Sequence, residues 1–240
     1  MIKFFRKIRK RLLTENKFSK YLLYAVGEIV LVVIGILIAL SINNWNEGKK
    51  SKLKSKEYSE NLISDITADV KNLDKLIKNC QAMQKNIDAY FDNFDRVEYS
   101  LSEHIDNSKI VQWDFFRYLP VNYTFADMQS SGNTTLLNEE QKGSLSELFN
   151  SQKFLQIIIE KTIDDIKHEI NERNKYIDYD RSKGEFFKIV GVSHDKNIKA
   201  QGLLHQHNVL TNVHDLCYNL IKFGELIKKQ SENSSQLLAE

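Results

Sequence analysis

Three histidines near the C-terminus suggest metal-binding chemistry by residue type. His205 and His207 are two positions apart, and His214 lies seven positions after His207. Side chains at i and i+2 of a helix point to different sides, unlike the i, i+4 pair of a zinc-binding helix. We therefore interpret these histidines as part of a solvated polar face and predict no metal site. The sequence also has no nucleophile elbow, glycine-rich phosphate loop or C-x-x-C motif, so we predict no catalytic site, no cofactor and no enzymatic activity.

Four aspartates at helical positions are further candidates for acid–base chemistry. Asp65 and Asp69 lie four residues apart in one segment, and Asp164 and Asp165 are adjacent in another. Charged residues on helices are exposed by default. We therefore expect all four to be surface charges.

The two cysteines, Cys80 and Cys217, lie on the apolar seams of two different predicted helices. A helical bundle would bring these seams together, and an oxidising compartment would permit a disulfide between the two thiols. Buried, unpaired cysteines that serve as small apolar side chains are the alternative. The sequence leaves both states open.

An aromatic-rich insert, residues 95–138, separates two long predicted helices. It contains Trp113, Tyr118, Tyr123 and Phe125. Aromatic side chains with convergent polar groups are typical of ligand pockets, although aromatic residues more often fill a protein core. We expect these residues to pack the insert against one end of a bundle and keep a ligand pocket as the alternative.

The position of all these residues depends on the apolar segment Tyr21–Ile42, whose single charged residue is Glu28. A helix of this length spans about 33 Å, enough to cross a hydrocarbon core of about 30 Å. We therefore predict one transmembrane helix. A cleavable signal peptide is the alternative, because Ala39-Leu40-Ser41 resembles a cleavage site, but the apolar run is long and has basic and aromatic flanks.

Small residues within this segment offer a face on which a second helix could pack. Gly35 and Ala39 are four residues apart, and Gly27 adds a further small position. Such spacing permits close approach of two membrane helices. Glu28 costs free energy in the bilayer unless it reaches the headgroups, is protonated or has a partner. These four residues are our candidates for helix packing in the membrane.

Charge is distributed unevenly around the segment. Eight Lys/Arg and two acidic residues precede Ser41, which leaves 26 basic and 30 acidic residues in the remainder. The positive-inside rule therefore predicts a cytoplasmic N-terminus and an extracytoplasmic C-terminal portion. The basic arm, residues 1–20, suits anionic lipid as a partner, and we expect no binding of nucleic acid.

Three long apolar seams follow the anchor. The first predicts a helix over 55–94, the second a helix of about forty residues that begins at Asn138, and the third a helix over 197–229. Such seams need partners, so we predict a mostly α fold: one N-terminal transmembrane helix followed by an antiparallel helical bundle of three long helices plus a short fourth. The short helix, about 123–130, ends before Gly132.

These elements predict the following organisation: a basic cytoplasmic arm (1–20), a transmembrane helix (21–42), a juxtamembrane connector (43–55), an extracytoplasmic helical bundle (56–230) and a flexible tail (231–240). One proline and nine glycines in the chain disfavour β-sandwiches and propellers, which need many turns.

Two stretches carry a resemblance to a known family. The first comprises Phe4–Arg9, Asn16–Leu22, Gly27–Leu40 and Ile42–Glu47. The second is Tyr123–Asn133, where the family tends to have Thr-Tyr-x-x-Leu-x-Ser-Ser-Gly-Asn and this chain has Phe125 and Met128 in place of Tyr and Leu. The chain thus resembles an uncharacterised family of single-pass membrane proteins from Bacteroidota, the domain of unknown function 6090. The resemblance implies a bacterial membrane protein of a family with no known activity. Together with the orientation given by the positive-inside rule, we therefore expect the protein in the bacterial inner membrane, with its C-terminal portion in the periplasm.

Taken together, these features predict a non-enzymatic, membrane-anchored protein that acts in sensing, scaffolding or partner recognition at the bacterial envelope. We expect a protein partner or a homo-oligomer. Because the arm before the anchor is too short to form a cytoplasmic output domain, any signal must pass through a partner within the bilayer. A membrane-bound enzyme or a small-ligand binder that uses the insert 95–138 is the alternative.

Overall fold

The structure, a computed structural model, describes residues 18–94, 99–177 and 196–240. These ranges are mostly helical and contain no strand, which confirms the predicted fold class at this level. Most of the predicted basic arm lies outside the described residues. The chain divides into two compact units, Met1–Glu57 and Tyr58–Glu240.

Helix α1, Phe18–Phe94, contains the predicted anchor, the connector and the first long bundle helix in one element. Its N-terminal part includes a window with a mean hydropathy of 2.7 that is 0% buried, so α1 is long and apolar enough to cross a membrane. The large apolar side chains between Leu22 and Ile42 are exposed. Gly27 and Gly35 have no atom within 4 Å of an added Cβ, so no described side chain packs on either glycine.

The second unit contains the C-terminal part of α1, followed by both short and long helices. Its further elements are helix α2 (Leu101–Ile110), an extended segment (111–122), helix α3 (Tyr123–Ser131), a 3₁₀ turn (Asn133–Leu136), helix α4 (Glu139–Arg173) and helix α5 (Lys196–Ala239). The start of α4 is as predicted, because Asn138 and Gln141 form a reciprocal capping box. The end of α3 is also as predicted, since Gly132 adopts a left-handed φ of 73°.

Helix α5 runs antiparallel to α4. The Gln141 side chain donates to the carbonyl oxygen of Leu237 at 2.8 Å, and Arg173 at the other end of α4 donates to the Gln206 side chain at 2.7 Å. Helix α5 is also antiparallel to α1, as two contacts show: the Asp74–Lys228 ion pair at 2.7 Å and the hydrogen bond from Gln84 to the His214 carbonyl at 3.4 Å.

Helices α1 and α4 run in the same direction, in contrast to a purely antiparallel arrangement. Leu62 and Leu145 line one small cavity, and seven residues further along each helix Gln152 donates to Asp69 at 2.8 Å. The chain between α2 and α4 makes this direction possible, because it returns along α1. Its contacts run from Met83 at Asp114 to Asp65 at Thr124.

The core of the second unit lies where α1, α4, α5 and the insert meet. Its largest fully buried apolar side chains are Leu62, Leu73, Ile87, Met128, Leu155, Ile166, Leu210, Leu216, Leu220 and Ile227. Burial of each such side chain stabilises the fold by about 1.5–3 kcal/mol. The helices and the insert thus cover one another's apolar seams, as amphipathic helices require.

The prediction of a flexible tail over 231–240 is wrong. Helix α5 continues to Ala239, and Ser231, Ser234 and Leu238 are buried. The last turns pack on the start of α4, where the Ser234 and Ser144 hydroxyl groups form a hydrogen bond of 2.7 Å. Small serine side chains at the contact permit this packing, although the composition of the segment looks typical of a frayed end.

Candidate functional site

The most unusual group in the second unit is the carboxylate of Asp69, which is 0% exposed. The prediction that Asp69 is a surface charge is therefore wrong. Asp69 accepts hydrogen bonds from the Tyr118 hydroxyl (2.8 Å), the Val121 N–H (3.0 Å) and the Gln152 side chain (2.8 Å). Burial raises the pKa of Asp69, and the three hydrogen bonds partly oppose this effect.

The partners of Asp69 are themselves held in place. Gln152 accepts a hydrogen bond from the Asn122 side chain at 2.8 Å, which directs its amide nitrogen towards Asp69. Burial, followed by the nearby Asp69, raises the pKa of Tyr118, so its hydroxyl stays protonated and donates. The network therefore joins α1, the extended segment and α4. The network holds the backbone of the insert in place, and its polar groups form hydrogen bonds with one another.

Asp65, one turn before Asp69, connects α1 to α3 in a similar way. Its carboxylate accepts a hydrogen bond of 2.8 Å from the backbone N–H of Thr124, in the first turn of α3. The N-cap residue Asn122 makes no such bond with its own side chain. A carboxylate near a helix N-terminus satisfies an unpaired N–H group and interacts favourably with the helix dipole. Asp65 thus caps α3 from another helix and is only partly exposed.

The family-like stretch Tyr123–Asn133 also has a structural role. Phe125 and Met128 are buried in the core. After the left-handed Gly132, the Asn133 side chain donates to the Tyr58 hydroxyl at 2.9 Å. Tyr58 in turn donates to Asp127 at 3.0 Å. The stretch therefore fastens α3 to the start of the second unit.

The four aromatic residues proposed for a ligand pocket have different environments. Tyr118 and Phe125 are buried, Trp113 packs at the edge of the core, and Tyr123 is 71% exposed. The cavity beside Asn122 has a volume of about 20 Å³ and is lined by Phe125 but by none of the other three. A volume of this size holds about one water molecule, whereas ligand pockets measure about 300–1,000 Å³.

A larger groove lies elsewhere, between α1 and the C-terminal part of α5. Its volume is about 470 Å³. Ile66 and Val70 provide an apolar floor, and Lys229 and Glu232 provide charges at the rim. Sequence reasoning missed this groove because residues 231–240 were expected to be flexible.

The outward side of the extended segment carries two large apolar side chains, with the exposed Arg117 between them. Successive side chains alternate: Phe116 and Tyr118 face the core, whereas Phe115 and Leu119 are 42% and 68% exposed. Tyr123, the first residue of α3, is also exposed. We call Phe115, Leu119 and Tyr123 the outer row.

The two cysteines are both 0% exposed and belong to the same core. They are free thiols in this structure. Interaction with the Cys217 thiol raises the pKa of Cys80, and burial raises it further. The predicted meeting of the two seams is therefore observed, and the bond itself stays a prediction.

The three histidines do not converge. His205 interacts with Glu169 at 2.7 Å and His214 with Asp88 at 3.3 Å, whereas the His207 ring packs at a tilt against the rings of Phe91 and Phe94. In residues 18–94, 99–177 and 196–240, no group of three or more His, Cys, Asp or Glu side chains has an arrangement suited to a metal ion.

Comparisons with known proteins give one match. The model of a family of unknown function, DUF6090, matches residues 28–198. No curated protein and no solved structure matches the chain. The matched range includes most of the apolar segment, the Asp69 network and the stretch Tyr123–Asn133. Because the match covers more than half of the sequence, the chain belongs to the DUF6090 family of unknown function.

Proposed function

We propose that this protein is a membrane-anchored, non-enzymatic module that recognises a partner protein on the extracytoplasmic side of a bacterial inner membrane. The uncovered apolar part of α1 supports the anchor. Eight basic residues before Ser41 support a cytoplasmic N-terminus. The second unit has its own core and stands as the recognition module.

The observation that carries the proposal is the outer row. Two large apolar side chains, Phe115 and Leu119, project from the extended segment, whose inward side is held by the Asp69 network, and the third, Tyr123, is exposed in the first turn of α3. Exposed apolar side chains on a rigid support lose little conformational entropy on binding and are typical of protein interfaces. The insert thus serves recognition through its outer side, and its inner aromatic residues serve packing.

Site-specific photo-crosslinking in native membranes tests this proposal. A photoreactive amino acid at Leu119 or at Tyr123 should give the same crosslinked partner. The same amino acid at Phe154 is the matched control, because Phe154 is also apolar and 50% exposed but lies on α4. A partner captured equally from all three positions, or from none, would contradict recognition by the outer row.

A variant separates binding from folding. Leu119→Ser should abolish crosslinking from Tyr123 and leave the melting temperature unchanged, since Leu119 is 68% exposed.

A reporter fused after Glu240 tests the orientation. Reporter activity in the cytoplasm would overturn both the orientation and the compartment.

Binding of a small molecule is a second candidate, favoured by the groove of about 470 Å³ between α1 and α5. Val70→Trp should fill the apolar floor of this groove. Mass spectrometry of protein purified from native membranes should then find a co-purified small molecule in the wild type and lose it in the variant. The same result for both proteins would remove this candidate.

A further inference from the structure

Cys80 and Cys217 face each other across the α1–α5 interface. The register of these antiparallel helices is fixed on both sides of the pair. On one side Lys228 binds Asp74 at 2.7 Å, and on the other side Gln84 donates to the backbone of His214 at 3.4 Å. Cys80 lies between Asp74 and Gln84, and Cys217 lies between His214 and Lys228.

The helices approach each other closely beside the cysteines. A Cβ added to Gly224 would lie 3.1 Å from the Ile77 Cδ1 atom, tighter than an ordinary contact. Ile77 is one turn from Cys80, and Gly224 is two turns from Cys217. A disulfide needs backbones that approach closely, so glycine at this point favours the geometry.

We propose that Cys80 and Cys217 form an intramolecular disulfide in the mature protein, which joins α1 covalently to α5. The proposal rests on the extracytoplasmic placement under "Proposed function", because disulfides persist in oxidising compartments. Since α1 is also the helix that contains the membrane anchor, the bond links the anchor helix to the C-terminal helix.

The reaction requires an oxidant, which is a thiol–disulfide oxidoreductase in its disulfide form. One cysteine thiolate attacks the disulfide of the oxidant, forms a mixed disulfide and releases one oxidant thiolate. The second cysteine thiolate then attacks the mixed disulfide, forms the Cys80–Cys217 bond and releases the second oxidant thiolate. Two protons leave the cysteines, and two electrons reduce the oxidant.

The burial of both thiols determines when the bond forms. Neither sulfur is accessible to an oxidoreductase in the folded second unit. The raised pKa of Cys80 also keeps its thiol protonated and unreactive there. Oxidation therefore precedes the completion of folding, and the folded core then protects the bond from reductants.

The test uses full-length protein taken directly from its native membrane, with free thiols trapped by alkylation under denaturing, non-reducing conditions. We expect alkylation of neither cysteine before reduction and of both after reduction. Mass spectrometry should find one cross-linked peptide pair that contains Cys80 and Cys217, with a mass lower by two hydrogens. Alkylation of both sulfurs without reductant, or a disulfide-linked dimer, would overturn the proposal.

Two further measurements keep the test informative. Cys217→Ala should leave Cys80 free and available for alkylation, and the same variant shows whether the trapping works. Wild-type protein that is reduced while unfolded and then refolded with the reductant present should melt about 10 °C or more below the oxidised protein, because the bond closes a loop of more than about 100 residues. A change equal to that of Cys217→Ala treated with the same reductant would overturn this contribution.

Failure of the bond can be separated from failure of the proposed placement. Purified, reduced and unfolded protein is allowed to refold in a glutathione redox buffer. If the bond forms there but is absent in the native membrane, the cysteine geometry is right and the compartment is reducing, which contradicts the extracytoplasmic placement. If the bond forms in neither case, the geometry is wrong.

Discussion

The Tyr118→Phe substitution tests whether the buried network holds the insert in place. It removes one hydroxyl group, whose hydrogen bond to Asp69 measures 2.8 Å, and leaves the ring in the core. Asp69 keeps the Val121 N–H and the Gln152 amide as donors. The loss is therefore that of one hydrogen bond to a buried carboxylate, which contributes about 1.5–3 kcal/mol.

For a domain of this size, 1 kcal/mol shifts the melting temperature by about 2–4 °C, so we expect a decrease of about 3–12 °C. Thermal unfolding of the full chain in detergent, followed by far-UV circular dichroism, measures this decrease. Fluorescence of Trp113, which lies in the insert, reports on the same region. The decrease should be smaller in acid, because protonation of Asp69 removes the charge that strengthens the hydrogen bond.

Tyr123→Phe is the matched control, because it makes the same chemical change on a residue that is 71% exposed. This control should change the free energy of unfolding by less than about 0.5 kcal/mol. Equal effects of Tyr118→Phe and Tyr123→Phe would refute the reasoning, since the hydroxyl of Tyr118 would then contribute nothing specific to the network.

Three further predictions follow from burial and close contact. Because burial raises the pKa of Asp69 above its usual value near 3.8, this group stabilises the fold most in acid and loses that contribution as the pH rises; the melting temperature of the wild type relative to Asp69→Asn should therefore fall with rising pH in thermal scans. Gly224→Leu should lower the free energy of unfolding, measured by urea denaturation, by about 1–3 kcal/mol because the new side chain collides with Ile77. Gly143→Ala is the control: Gly143 has open space around it, so this change should raise the free energy of unfolding by about 0.5–1 kcal/mol. Leu238→Ala should cost about 2–3 kcal/mol by the same method, and an unchanged midpoint would instead indicate a frayed end.

The long helices could be predicted because their apolar positions recur at the spacing of a helix. In α4 the apolar residues that recur at helical spacing are buried or half-buried: Leu145, Leu148, Leu155, Ile159, Ile163, Ile166 and Ile170. In α1 the apolar spacing is interrupted after Cys80, where the seam contains a polar residue. Gln84 continues the regular spacing, is half-buried and donates to a backbone carbonyl of α5.

The polar network could not be predicted from residue type, because an aspartate is usually exposed. Spacing was the missed signal. Asp69 lies three residues after Ile66 and four before Leu73, so it occupies a position of the buried seam. Gln152 similarly lies between Leu148 and Leu155 in α4.

The helix at the start of the insert was also missed by sequence-based prediction. Helix α2 was not predicted, because its ten residues carry few apolar side chains. Its signal is the capping box formed by Ser100 and Glu103. The path of the extended segment depends on contacts with Asp69 and Met83, which are far away in the sequence, so no local pattern determines it.

We expect Asp69 to make the assembly of the second unit specific at some cost in stability. A purely apolar α1 seam would accept the other helices in several registers, since similar side chains recur every seven residues. Asp69 is satisfied only where Tyr118, Gln152 and the Val121 N–H reach it together, because a buried carboxylate without its donors costs several kcal/mol. The raised pKa indicates the free-energy cost of burying this charge. In return, the hydrogen bonds to Asp69 hold the extended segment in one position. The buried carboxylate therefore also determines where the side chains of the outer row lie.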